Sequence, residues 1–296
     1  HILLGLTATP ERTNEQEDIT VFFDGHISAE IRLPAALNAG LLAPFHYYGI
    51  PDNVDLTEVK WNGHGYDISE LSRVYTQNDS RTGLILKKMQ EYIGNSKLNK
   101  VCALCFCVDK EHARFMNAKF TLAGLRTNVL TSDDDNHHRA LVKRQLQTGT
   151  INYLFVVDLF NEGVDIPEID TILFLRPTES ATVFLQQFGR GLRLHKNKDH
   201  LTVLDFVGLS RAEFNYKDRF EALIGRHSRN IKEEIEGGFT NAPFGCKIVL
   251  EEKAKKEILA NIDGYLRSLN RGRIIKEIAT YHKVCNGSFS LKGFLA

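Results

Sequence analysis

Between residues 80 and 207 the chain alternates short apolar runs with amphipathic stretches. VCALCFCV, INYLFVV, TILFL and LTVLDFV are apolar runs of strand length, bounded by polar residues or glycine. Runs of this kind read as buried strands, and the segments between them repeat apolar residues at helical spacing. The pattern predicts helix 80–94, strand 101–107, helix 109–124, strand 126–131 and helix 136–148. It continues with strand 151–157, strand 170–175, helix 180–193 and strand 200–207. Such alternation marks an α/β fold with a doubly wound parallel sheet. The flanks differ. AEIRLPAALNAGLLAPF predicts a helix opened by Pro34 and ended near Gly40. Residues 47–78 carry Asp52, Asn53, Asp55 and the turn cluster WNGHGYD, and read as a connector that Trp61 anchors. After residue 211 strands largely disappear. Two long amphipathic helices are predicted there, with Ile258, Ile262, Leu266 and Leu269 on one stripe.

Composition changes this picture little. The 296 residues are 43% hydrophobic, enough for a sizeable core, and 37 basic residues balance 37 acidic ones. Bulk charge therefore does not demand nucleic acid, although a local cleft can be basic on a neutral protein. Residues 247–296 hold ten basic and five acidic side chains, with Arg267, Arg271, Arg273 and Lys276 clustered. That excess reads either as a helical arm on duplex phosphates or as a solvated helix face. Five cysteines and no secretory signal point to a reducing cytoplasm. Cys102 faces one side of its strand and Cys105 and Cys107 the other, so they read as small core residues, not metal ligands. His137 and His138 are expected at an exposed helix start, and no metal site is expected. No run of eighteen apolar residues occurs, so no membrane partner is expected.

The chemistry concentrates in QQFGRGLR, Gln186 to Arg193. Arg190 and Arg193, three apart on the predicted helix, share one face about a turn apart. A guanidinium is permanently charged and offers a planar fork of donors suited to phosphate oxygens. Gly189 and Gly191 would leave the backbone bare for a large anion to approach. Upstream, NEGVDIPEID follows an apolar strand, and Gly163 permits a tight turn there. Glu162 and Asp165 then lie beyond the strand's carboxyl end, where open α/β sheets bind ligands. Both arginines are expected at that same carboxyl edge.

Four segments in this order resemble superfamily 2 DEAD/DEAH helicases and translocases, most of all the restriction-subunit type. TATP resembles motif III, CALCFCVDKEHA motif IV, LFNEGVDIP motif V and QQFGRGLR motif VI. Motifs V and VI, about twenty-five residues apart, carry most of the signal. The resemblance covers roughly residues 1–210. It implies a fragment: residues 1–46 as the tail of a first RecA-like domain, 47–78 as connector, 79–210 as a second RecA-like domain, and 211–296 as a helical extension. A protein that lost its first lobe is the other reading. The sequence has no GxxxxGK[ST] phosphate loop and no DEAD, DEAH or DECH tetrapeptide, the elements that cradle phosphates and hold magnesium in this chemistry.

The resemblance also implies roles. The cofactor would be ATP with magnesium, the magnesium ligands lying on the absent first lobe. Arg193 would reach the γ-phosphate, with Arg190 sharing the task, as arginine fingers. Gln186, Gly189, Gly163 and Asp165 would bind nucleotide, with Asp165 on the ribose hydroxyls or acting as a turn cap. Thr7 and Thr9 would couple the nucleotide state to lobe closure, or cap the following turn. Val108, Thr131 and Ser132 would hold nucleic-acid phosphates through amides and hydroxyls. Asp133, Asp134 and Asp135 depart from what suits a phosphate track. So does Val157–Asp158, where many family members carry a strand-contacting threonine. The expected partners are nucleic acid, DNA rather than RNA, and the missing first lobe. The competing function is a non-catalytic nucleic-acid or protein binding module on a RecA-like fold. A dinucleotide enzyme is disfavoured because no GxGxxG opens a helix after a strand.

Overall fold

The computed structural model describes residues 26–62, 65–157, 166–178, 180–211, 214–225 and 230–267, with residues 5 and 22–24. Among the described residues seven strands form one parallel sheet in the order β3-β4-β2-β5-β6-β1-β7. They are β1 Phe45–Asp55, β2 Ala103–Phe106, β3 Thr127–Leu130, β4 Tyr153–Val156, β5 Thr171–Phe174, β6 Leu201–Leu209 and β7 Lys247–Leu250. The helices are α1 Leu33–Asn38, α2 Ile68–Thr76, α3 Asp79–Tyr92, α4 Lys110–Leu122, α5 Asn136–Gln147, α6 Ala181–Gly189, α7 Tyr216–Ile224, α8 Ile231–Glu236 and α9 Glu252–Arg267. This is the expected doubly wound α/β fold of RecA type.

Helix starts follow from local chemistry. Asp67, Asn78, Asp109, Asp135, Ser180, Asn215 and Asn230 each accept a backbone N–H of the first turn. Such caps satisfy donors that the helix itself leaves unpaired. Alternate strand residues enter opposite layers. Cys105 and Cys107 pack with Ile85, Met89, Met116 and Phe120 on one face. Cys102, Leu104 and Phe106 pack with Phe184, Phe188 and Phe220 on the other. The cysteines thus divide as their strand spacing predicts. Among the described residues no cluster suited to a metal occurs, and no helix is long and apolar enough to cross a membrane.

Three segments differ from expectation. Residues 45–55, divided in the sequence reading between the first domain's tail and a connector, form an eleven-residue strand inside the sheet. Gly49, Pro51, Asp52 and Asn53 disguise it as a turn. Pro51 pairs with Val207 of β6, while β7 pairs only as far as Gly49, so the missing N–H faces no partner strand. Residues after 211 are less separate than expected. β7 extends the sheet, and Ala254, Ile258 and Ile262 of α9 are buried in the same core. Leu269 and the further basic residues lie outside the described residues, as does the side chain of Leu266. The third difference is α6, which ends at Gly189 and not at residue 193.

Two buried ion pairs fasten helices to the sheet. Arg81 of α3 donates to Asp52 of β1 at 2.7 Å and to the Leu175 carbonyl at 3.0 Å. Arg219 of α7 pairs with Asp205 of β6, which also accepts the Tyr47 hydroxyl at 2.5 Å. Arg219 also donates to the Thr178 carbonyl at 2.8 Å and lies 4.5 Å over the Phe184 ring.

Candidate functional site

The segment Gln186–Arg193 leaves the helix earlier than its spacing suggests. Arg190 is the C-cap of α6, and Arg190, Gly191 and Leu192 donate to the carbonyls three residues before them. The tightened turn drives Leu192 into the core, where it is 2% exposed, and the Leu192 carbonyl accepts from Ala43 just before β1. Arg190 and Arg193 therefore both lie past the last residue of α6. Arg190 is half-buried in the turn and Arg193 is exposed beyond it.

The turn also lies on the other edge of the sheet. α6 runs antiparallel to the strands, from Ser180 after β5 back toward the start of β6. Nine residues of helix carry the chain roughly 13 Å along that axis. Ala43, Leu201 and Ile172, which bracket the turn, all stand at strand beginnings. The arginines thus occupy the amino-terminal edge, not the expected carboxyl edge.

The two glycines serve different ends. A Cβ on Gly189 would meet nothing within 4 Å, so the backbone there borders open space. A Cβ on Gly191 would stand 2.4 Å from Leu201 Cδ1 and 3.1 Å from Ile172 Cδ1. Gly191 is a packing glycine, contrary to its expected role. Gly191→Ala is expected to cost about 1–3 kcal/mol through overpacking. Gly189→Ala should be neutral or stabilising by up to about 1 kcal/mol, since alanine is the better helix former. Chemical denaturation of both variants checks this, and equal midpoints for the two would refute it.

Gln186 is half-buried on α6. Its neighbour Gln187 is fully buried and accepts the Thr178 hydroxyl at 3.3 Å, a role the sequence did not single out. Gly163 and Asp165 lie outside the described residues, as do Thr7, Thr9, Asp158 and Glu162.

The expected phosphate track lies at the carboxyl edge. Val108 is 2% exposed, and its N–H donates to His112 Nδ1 at 3.2 Å. The Thr131 amide and hydroxyl both donate to Asp134, at 2.6 and 3.1 Å. At Val108 and Thr131 the donors expected to meet phosphate are engaged within the protein. Ser132 is exposed, with its carbonyl accepting from Arg139 at 3.1 Å. The acid run is structural: Asp134 closes the turn, Asp135 caps α5, and Asp133 meets Lys110 at 2.5 Å, tying the loops after β2 and β3 together.

His112 accepts the Val108 N–H on Nδ1, so its hydrogen sits on Nε2 and the ring is neutral. Burial, with Arg81 and Arg176 nearby, holds its pKa well below the ordinary value of 6.5. The unfolded chain takes up a proton as pH falls through 6.5 while the native state does not. Stability contributed by the neutral ring is therefore complete above that pH and declines below it, by up to about 1.4 kcal/mol per pH unit. His46 and His200, whose rings stack at 3.9 Å, are shifted down chiefly by burial and act in the same direction. The urea midpoint should drop between pH 7.5 and 5.5, and His112→Gln should flatten that slope. An unchanged slope in the variant would refute the assignment.

The helicase conserved C-terminal domain model matches residues 85–195, a span that runs from α3 past Arg190 and Arg193. Residues 85–195 are thus similar to a helicase C-terminal domain. A candidate ATP-dependent helicase of Saccharomyces cerevisiae, IRC3, is 34% identical over 159 residues, covering 53% of this chain and 22% of that protein. UvrABC system protein B of Tropheryma whipplei is 28% identical over 159 residues, covering 46% of this chain and 24% of that protein. Among solved structures, a fragment of a candidate HsdR subunit of a type I restriction enzyme from Vibrio vulnificus shares the fold. Its TM-score is 0.57 at 20% identity, covering 82% of this chain and 43% of that one. The chain spans less than half the length of these relatives.

Sequence reasoning missed Lys198, Arg219 and Arg81. One of these positions, with its partner, carries a legible signal. Arg219 falls on the apolar stripe of Tyr216, Phe220 and Leu223, and Asp205 interrupts the apolar run LTVLDFV. Opposite charges misplaced in two apolar patterns point to a buried pair. Nothing in the sequence marks Lys198.

Proposed function

We propose that this helicase domain is the second motor lobe of an ATP-dependent DNA helicase or translocase, in which Arg190 and Arg193 act on the nucleotide. The observation that carries the reading is the helicase match across both arginines, which the structure presents on a turn beside open space at Gly189. Two guanidiniums on such a turn fit a polyphosphate anion. Charge on the transferring phosphoryl group would be stabilised by Arg193, with Arg190 assisting. Gln186 and Gly189 border the same turn, and Gly163 and Asp165 complete the nucleotide-facing set in this reading. Thr7 and Thr9 couple the lobes, and magnesium is held by the first lobe. DNA is preferred on the motif resemblance to restriction-subunit helicases. At the carboxyl edge, exposed Ser132 remains the fittest phosphate contact, since the Val108 and Thr131 donors are internally bonded.

The test is ATP hydrolysis by the intact protein with and without duplex DNA. Stimulation by DNA supports the motor. Binding of DNA with no ATP turnover supports the binding module instead. The chain by itself, having no phosphate loop, is expected to hydrolyse no ATP. Hydrolysis by the purified chain that Arg193→Ala abolishes would overturn that expectation.

A further inference from the structure

The ammonium of Lys198 gathers two segments that the sequence keeps apart. Lys198 lies in the loop between the arginine turn and β6. Its Nζ donates to the Pro167 carbonyl at 2.9 Å, the Ile169 carbonyl at 3.0 Å and the Gly191 carbonyl at 3.0 Å. An ammonium has three hydrogens and no acceptor, so these carbonyls saturate it. Pro167 and Ile169 end the crossover from β4 to β5, the segment that resembles motif V. Gly191 stands between Arg190 and Arg193. One half-buried side chain is thus bonded to both the motif V tail and the motif VI turn.

The surroundings fix this arrangement. Gly191 is pressed against Leu201 and Ile172 and cannot slide inward. Asp170 is held by the Cys102 amide at 3.0 Å and the Thr171 hydroxyl at 2.8 Å, and its charge favours the ammonium. Burial works against the ammonium and lowers the Lys198 pKa, so the charge is kept there at a cost. A lysine serving only solubility would extend into water.

We propose that Lys198 is a positioning residue that locks the arginine turn to Pro167 and Ile169 ahead of β5, so that the two move as one body. Displacement of Pro167 and Ile169 then relocates Arg190 and Arg193, and DNA that shifts this segment is felt at the nucleotide. This rests on the motor reading given above. Lys198 itself touches neither nucleotide nor DNA.

The experiment compares the intact wild-type protein with Lys198→Met and Lys198→Arg. It reads ATP hydrolysis without DNA and with a mixed-sequence linear duplex, and amide exchange over residues 189–193. For Lys198→Met the basal rate should stay within about twofold of wild type, while the DNA-stimulated to basal ratio falls at least about tenfold and amide exchange accelerates. In Lys198→Arg a planar fork replaces a point donor and cannot fill three converging carbonyls, so the ratio should fall partway. If Lys198→Met does not fold, Lys198→Arg decides by the same ratio. A wild-type ratio in the folded variants, or an equal loss of basal and stimulated rates, overturns the proposal alone. A wild-type protein that DNA does not stimulate overturns both the proposal and the motor reading.

Discussion

Replacing Arg193 with alanine in the intact protein is expected to lower DNA-stimulated ATP hydrolysis by about 10³-fold or more, with the fold unchanged. Arginine fingers stabilise charge that appears only as the phosphoryl group transfers, and their loss is worth roughly 10³ to 10⁵ in rate. The protein should tolerate the change, because Arg193 is exposed beyond the end of α6. Arg190 is half-buried at the C-cap, so Arg190→Ala should cost stability as well as rate. Groups that act as a unit are non-additive. The double variant is therefore expected to be little slower than the worse single one. Steady-state hydrolysis and thermal melts on the same preparations separate the two effects. Retention of more than about a tenth of the wild-type rate by Arg193→Ala would remove its assignment as a finger.

Arg219→Ala is expected to produce the largest loss of stability, about 3–5 kcal/mol, because it leaves the Asp205 carboxylate buried without its cation. Arg219 and Asp205 are each 3% exposed. Tyr47 continues to donate to Asp205, but a phenol does not neutralise a charge. The Thr178 carbonyl loses its donor at the same time, and the Phe184 ring loses the cation above it. Thr178 precedes α6 and Phe184 lies within it, so the damage centres on the helix that leads into the arginine turn. The control is Arg219→Met with Asp205→Leu, which removes both charges. It should recover most of the loss, because apolar replacements of a buried pair are often neutral or better. A denaturation cycle over the single and double variants measures the coupling. A single-variant loss below about 1 kcal/mol would show that the pair is not dry in solution.

The order of strands and helices from residue 79 to 209 was legible because each apolar run is bounded by polar or turn residues. Only the ends moved, by a residue or two, apart from α6. The cysteine reading rested on the two-residue period of a strand, which geometry fixes. Motif VI was legible because two arginines, two glycines and a glutamine stand at set intervals. β1 was hidden because its proline and acidic residues imitate a turn. That Pro51 costs nothing is a fact about where β7 stops, and Asp52 is tolerated because Arg81, 29 residues away, meets it. The early end of α6 leaves Gly191 packed beside Leu201 of β6 and Ile172 of β5, a setting the local sequence does not state.

The sequence by itself determined the fold class and the absence of a phosphate loop, and it singled out Arg190 and Arg193. These depend on residue type and short-range spacing, which the chain states directly. Only the tertiary structure decided which edge of the sheet carries the arginines, because that depends on the direction of α6 and where it stops. It alone revealed that the Val108 and Thr131 donors are already bonded, and that Lys198 joins Pro167 and Ile169 to Gly191. Hydrogen bonds to backbone carbonyls carry no trace in the identity of the accepting residue. Every residue offers the same carbonyl, so such a contact becomes visible only when the chain is folded.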